Sequence, residues 1–499
     1  MKCRIALASL LPLAAAWSPA QSQKMVDRII EEGRDQSQVA SLLWHLTKKI
    51  GPRTTGTPQL DQADSWVMNK LIEWGCTNVK LEQFGEFPVG FRRGDTQKAT
   101  MYIAPPYPQA TWKWWPKKPW DGSFKTKSPA WHWIPWQKEM VFSTPNWTPG
   151  TDGPVRGPAI MMPQSVAEFE NVKLKLKSAW IIVPGATGMR GARPGTGDID
   201  QMLDRAGIAG RVYNSGDTLV WTHGQQNVNP KDLPKQVIVN ITRPDYKIIT
   251  QHLAAGHNIQ LEFNIQNHWL MRPWPVYNVM GDIKGTEKPD EFVILSAHLD
   301  SWNGPGSEGA SDNGTGTMVM LEAMRILRKS GVRPKRTIRL VLWGGEEQGL
   351  LGSRDYVKKH ESELPKISAV FNDDAGSNYQ GGLNILKEWL PFFSPLEENI
   401  NRAFPGMPFK LNVVEQMSRG GGGSDHASFN AVGVPGLHWF ETGRQSYRYV
   451  WHTQNDTYEN AIPEYLVQSA TNSALAAYYL AMMPDLLPRR AAAAPAGGN

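Results

Sequence analysis

Cysteine is almost missing from this chain, with only Cys3 and Cys76 among 499 residues. Cys3 falls within residues 1–20, where Lys2 and Arg4 precede a short apolar run and Ser18-Pro19-Ala20 supplies small residues, the pattern of a cleavable export leader. Removing that leader leaves Cys76 as the lone thiol, which excludes an internal disulfide and disfavours thiolate ligation of a metal. Long hydrophobic runs are missing too. The leader's apolar part is broken by Pro12, and no later stretch approaches the roughly 20 apolar residues of a membrane-spanning helix. Nor is there an excess of charge. The formal net charge of +6 falls to +4 once Lys2 and Arg4 are gone, spread thinly along the chain, and it points to no nucleic-acid partner. A hydrophobic content of 40% against 20% charged residues excludes global disorder, and the length allows two or three lobes. A secreted or periplasmic protein is the expectation.

What the chain does have is periodicity. Val39, Leu42, Leu43, Leu46 and Ile50 fall at helical spacing, as do Ala63, Trp66, Val67, Leu71 and Trp74, with Gly75 as a stop. A first strand is expected at 79–84. Residues 259–265 alternate apolar and polar as a half-buried strand, with 276–283 as the expected neighbour. The uniformly apolar segments 292–297 and 338–343 read as central strands covered on both faces, with a helix over 317–327 between them. Its polar stripe is Glu322, Arg325 and Lys329. Strand, helix, strand at this spacing argues for an α/β sheet. Residues 140–245 break the rhythm with the alternating 172–177, short strands at 179–183 and 237–239, and a Gly/Pro-rich stretch, so a small β-rich insertion is expected there. Seven tryptophans between 112 and 136, interleaved with lysines, could stack bases or sugar rings, but the default burial of aromatics favours packing between lobes as a lid. The Ala/Pro/Gly tail after 485 reads as disordered.

Chemistry-bearing residues gather at the ends of the expected strands, where open α/β sheets place their sites. Glu346-Glu347 follows one apolar strand and His298-Leu299-Asp300 follows another, while Asp312 sits in a glycine-bracketed loop before the helix. Asp373-Asp374 and His452 complete the set. Carboxylates plus two imidazoles suit zinc-like divalent cations. Asp300, two residues from His298, is placed to accept the free ring N–H and fix the tautomer. Asp312 could bridge two metals, though alone such a residue is more often a helix cap. Paired glutamates are ordinarily solvated surface. At a strand end among other ligands they divide, one binding metal and the other serving as base toward an attacking water. A hydrolase with a two-metal centre is the leading expectation.

In chain order, His298-Leu299-Asp300, Ser311-Asp312-Asn313-Gly314, Glu346-Glu347, Asp374-Ala375-Gly376, Ser424-Asp425-His426 with Phe429, and His452-Thr453 with Asp456-Thr457 resemble the signature of the M28 co-catalytic zinc aminopeptidases and carboxypeptidases. Ile50-Gly51-Pro52-Arg53-Thr54-Thr55-Gly56 resembles that family's entry segment, and the branch containing plasma glutamate carboxypeptidase (carboxypeptidase Q) is the most similar. The resemblance implies a zinc-exopeptidase (phosphorylase/hydrolase-like) three-layer α/β/α sandwich with a mixed sheet and an inserted protease-associated domain. It divides the chain into a leader at 1–20, a first catalytic part at 21–139, the insertion at 140–245, the catalytic domain at 246–485 and the tail at 486–499. It implies two zinc ions bridged by Asp312, one completed by His298 and Asp374 and the other by Glu347 and His452. Glu346 would be the general base, Asp300 would orient His298, and Ser424, Asp425, His426, Tyr447 and Tyr449 would line the substrate pocket. The substrate is expected to be a peptide or dipeptide, with no nucleic acid and no membrane span, and a homodimer is allowed. Aminopeptidase activity is the first expectation, carboxypeptidase or dipeptidase activity the second, and a non-catalytic receptor-like scaffold a remote third.

Overall fold

The computed structural model describes residues 19–104, 136–191, 197–417 and 423–489. The leader to residue 18, the tryptophan-rich stretch to residue 135 and the tail from residue 490 lie outside them.

Helices α1 (Pro19–Asp35), α2 (Val39–Trp44) and α3 (Pro58–Glu73) precede the long strands β1 (Thr77–Phe87) and β2 (Gly90–Ala104). The Thr57 side chain accepts the Leu60 N–H at the start of α3 with Pro58 in the first turn, and Gly75 at φ +74 stops it. Next come β3 (Trp136–Glu139), β4 (Phe142–Ser143), β5 (Val155–Met161), α4 (Val166–Val172), β6 (Trp180–Ala186), α5 (Asp198–Arg205), β7 (Gly210–Asn214), β8 (Val237–Ile241), α6 (Arg243–Ala254) and β9 (Asn258–Leu270). The chain continues through β10 (Trp274–Ile283), β11 (Lys288–His298), α7 (Thr315–Lys329), β12 (Arg336–Trp343), α8 (Leu351–Lys359), β13 (Ile367–Asn372) and β14 (Tyr379–Leu386). It ends with α9 (Leu390–Ala403), β15 (Lys410–Val414), α10 (His426–Asn430), β16 (Gly436–Thr442), α11 (Tyr447–Val450) and α12 (Pro463–Met482).

One sheet runs β1-β10-β12-β11-β13-β16-β14-β15, mixed in direction, with β12, β11, β13 and β16 mutually parallel at its centre. Alternation along β11 shows why it is covered twice. Val293, Leu295 and Ala297 join a core with Met318 and Leu321 of α7 and Ala474 of α12, while Phe292 and Ile294 join Tyr356 of α8 and Phe429 of α10 on the opposite face. This is a three-layer α/β/α sandwich.

The second sheet, β3-β2-β9-β5-β6-β7-β8-β4, corrects several expectations. Its ladder of β2 on β9 pairs residues as far apart as Gly90 and Leu270, so the sheet reaches well beyond 140–245 on both sides and carries helices α4 to α6. β9 and β10, expected to be neighbours, lie in different sheets, because the chain leaves one sheet and enters the other between Leu270 and Trp274. The alternating 172–177 is the end of α4 and a turn of 3₁₀-helix, with Leu176 buried and Leu174 fully exposed. The polar stripe of α7 is not solvated at Glu322 and Arg325. Both are buried under α1, where Arg325 binds Glu322 at 2.8 Å and Glu32 at 2.5 Å. Leu487, placed in the tail expected from 486, is buried and donates its N–H to Ser368 Oγ at 3.0 Å.

Candidate metal centre

β11, β12 and β13 end side by side, and each passes a functional residue over the same edge: His298 from β11, Glu346-Glu347 just after β12, and Asp373-Asp374 just after β13. Asp312 precedes α7 and His452 follows α11. Donor atoms of His298, Asp312 and Asp374 lie within 4.8 Å of one another, as do those of Asp312, Glu347 and His452. Asp312 therefore belongs to both groups, and its two oxygens divide between them. Oδ1 lies 3.3 Å from His298 Nε2, and Oδ2 lies 3.0 Å from His452 Nε2. Asp374 Oδ1 is 3.2 Å from His298 Nε2, and Glu347 Oε2 is 3.2 Å from His452 Nε2.

The unmet polar atoms of this donor set fit a divalent metal. Asp312 Oδ2 and Glu347 Oε1 are buried without a hydrogen-bond partner, which folded proteins rarely tolerate without compensation. Five nitrogen and oxygen donors arranged as two groups sharing a carboxylate would satisfy them with two ions. The electrostatics reflect the crowding of acids. Burial pushes the Glu346 carboxyl well above its usual range and Glu347 up to about 7. Asp312, although buried, is held well below the usual carboxylate range by the His298 and His452 imidazoles beside it.

Asp300 has contacts beyond the one expected of it. The His298 Nδ1 contact at 3.0 Å is with the Asp300 backbone carbonyl, and the carboxylate stands 3.7 Å away. That carboxylate instead accepts the backbone N–H of Glu346 at 3.1 Å and of Glu347 at 3.3 Å, together with the Thr55 hydroxyl at 3.0 Å. Asp300 thus fixes the peptide from which both glutamates project. Asp456, which carried no assigned role, has the parallel task for the shared aspartate: its carboxylate accepts the Ser311 N–H at 2.5 Å and the Asp312 N–H at 3.4 Å. Burial pushes it up to about 8. The available signal was its place four residues after His452. The Asp312-Asn313 peptide is cis, and Asn313 Nδ2 donates to the Asp373 carbonyl at 2.8 Å.

The remaining pocket residues separate. Ser424 Oγ accepts from Asn372 Nδ2 at 2.8 Å, behind the strand ends. Asp425 is fully buried, with neither oxygen accepting a hydrogen bond, and burial lifts it to about 7 beside His298. His426 packs 4.8 Å from His438, whose Nε2 meets the Asp374 carbonyl at 3.2 Å. Tyr447 faces Asp312 and Asp374, with its ring so close to Gly376 that a Cβ there would stand 2.7 Å from it. Tyr449 points outward and is half exposed.

The open α/β sheet brings two groups of metal-type donors, sharing Asp312, to one edge, the arrangement of a metal-dependent hydrolase. Residues 278–477 match the family model described as Peptidase family M28, and the chain carries a peptidase domain of that family. Carboxypeptidase Q of Xenopus laevis is 30% identical over 262 residues, covering 52% of this chain and 53% of that protein. Aminopeptidase YwaD of Bacillus subtilis is 30% identical over 285 residues, covering 56% and 58%. The matches therefore span about half the length of these curated relatives. A Peptidase M28 precursor from Shewanella amazonensis superposes with a TM-score of 0.64 at 22% identity over 95% of this chain and all of that one. BSAP, a zinc aminopeptidase from Bacillus subtilis, gives 0.51 at 20% identity over 90% and 98%. At these identities the two structures show a shared fold.

Proposed function

We propose that the chain is an exported dinuclear zinc exopeptidase acting as an aminopeptidase on peptides or dipeptides. The observation that carries the metal reading is Asp312, with one oxygen turned to each histidine. His298 and Asp374 would hold one zinc, Glu347 and His452 the other, and Asp312 both. Zinc bound there would act as a Lewis acid toward the scissile carbonyl and raise the acidity of water. Glu346, in neither donor group, takes the proton from the attacking water and returns it to the departing amine as the C–N bond breaks. Its peptide is held by Asp300, which keeps the carboxylate in place beside the centre.

Choice of terminus rests on charge. Beyond the ligands, the groups next to Asp374 include the buried carboxyl of Asp425 and the partly buried one of Glu441. Arg53, buried in the field of Asp300, Asp312 and Asp456, has its guanidinium bound to the carbonyls of Gly51, Leu299, Glu308 and Gly309. Acid-rich surroundings whose arginine is already engaged favour a substrate ammonium over a substrate carboxylate. Among the described residues no helix is long and apolar enough to cross a membrane.

Protein purified without chelator is expected to hold about two zinc ions per chain by elemental analysis. A chain without bound transition metal after zinc addition would rule the centre out. Digestion of a mixed peptide library, read by mass spectrometry, should show trimming from the N-terminus, and N-acetylated peptides should resist. Trimming from the C-terminus would instead select the carboxypeptidase reading that the 30% identity to carboxypeptidase Q keeps in view.

A further inference from the structure

We propose that the second sheet is a positioning device for His452, so that the second donor group is complete only while a loop of that sheet grips the ligand's own backbone. The inference rests on the reading of His452 as a metal ligand.

His452 has φ +53, a left-handed backbone conformation that disfavours residues bearing a Cβ and persists when neighbours fix it. Those neighbours come from the connection between β7 and β8. Thr222 donates its N–H to the His452 carbonyl at 2.7 Å, Trp221 and Thr453 form an antiparallel bridge, and Val220 donates its N–H to Gln454 Oε1 at 2.9 Å. Three consecutive residues of one element thus pair with three consecutive residues around the ligand. The grip is anchored in turn: Ser143 of β4 donates its hydroxyl to the Trp221 carbonyl at 2.8 Å, and Asn146 bridges to Gly224.

Packing closes the same joint. Trp302, from the loop after β11, stands edge-on to the His452 ring at 6.5 Å and edge-on to the buried Trp147 at 6.4 Å. Gly224 permits this approach, because a Cβ there would lie 2.6 Å from the Trp302 ring. On the other side Trp451 stacks on His452 at 4.2 Å. Among the described residues the backbone of His298 has no corresponding tie. Its backbone is held from within the first sheet and α7, where Thr317 Oγ1 donates to the His298 carbonyl at 2.6 Å. Loosening the second sheet should therefore weaken one donor group selectively.

The test uses the full chain with zinc and, as a spectroscopic probe, cobalt. Thr222→Pro removes the N–H donor and Gln454→Ala removes the bond to Val220, while Thr222→Ala keeps the N–H and serves as control. Both disrupting variants should bind one of the two ions about five- to tenfold more weakly, the scale of one lost hydrogen bond. Their cobalt absorption change should match that of His452→Ala, and Thr222→Ala should resemble wild type. General loosening of the fold would weaken both ions together and overturn the proposal. If Thr222→Pro does not fold, Gln454→Ala decides alone. Unchanged affinity for both ions in a folded variant removes the inference and leaves the centre intact, whereas a wild-type chain that binds no metal removes both.

Discussion

Glu346→Gln is expected to retain its metal while kcat falls by about two to four orders of magnitude, the usual contribution of a positioned general base. The substitution is nearly isosteric and leaves the peptide contacts alone, because Asp300 holds the backbone N–H of residue 346 whatever its side chain. Glu347, whose N–H lies 3.3 Å from the other Asp300 oxygen, keeps its place as well. What is lost is the basic oxygen. An amide cannot accept the proton of an attacking water, and the rate at saturating substrate should fall with little change in metal content. Glu347→Gln should do the reverse, weakening the ion shared with His452, since Glu347 Oε2 is the atom 3.2 Å from that imidazole. Equal metal loss in the two variants would mean that the adjacent glutamates had been assigned the wrong way round.

The clustering of the candidate donors was legible in the sequence because apolar strands announce their own ends, and an acid or imidazole just beyond such an end has few other places to go. His298, Glu347 and Asp374 are of this kind. Asp300 shows the limit of that logic. Spacing says which residues are close along the chain, but the direction of a side chain after the strand depends on the turn, and here the turn swings the carboxylate toward the start of the Glu346-Glu347 segment. Glu322 and Arg325 on α7 mislead for a related reason. A charged stripe reads as solvated until a third partner from far away in the chain, Glu32 of α1, makes burial tolerable. The extent of the second sheet was hidden because its longest ladder joins Gly90 to Leu270, and pairing at that separation leaves no local pattern. Both β9 and β10 carry strand periodicity, and periodicity does not say which sheet a strand joins.

Asp374→Ala is expected to lower metal occupancy and to abolish hydrolysis, while Asp373→Ala should keep the metal and chiefly lose stability. Adjacent residues leaving a strand face opposite ways, and the two aspartates follow that rule. Asp374 Oδ1 reaches His298 Nε2 at 3.2 Å, and the turn that carries it passes through Gly376 at φ +105, against the Tyr447 ring. Asp373 turns into the packing between the sheet and α12, where its Oδ2 accepts from Gln380 Nε2 at 2.8 Å. The same Gln380 nitrogen donates to Ser473 Oγ at 2.9 Å, and Asn472 donates to the Gln380 Oε1 at 2.9 Å. Cutting Asp373 back to alanine leaves a buried amide donor short of an acceptor, a loss of about 1–3 kcal/mol visible as a lower thermal midpoint. Cutting back Asp374 removes one of the three donors gathered by His298, Asp312 and Asp374, and the ion held there should be lost on dialysis. Zinc content, thermal midpoint and turnover measured on both variants separate the two roles. A fully metallated, active Asp374→Ala protein would transfer the ligand role to Asp373 and require the turn after β13 to be set differently once metal is bound.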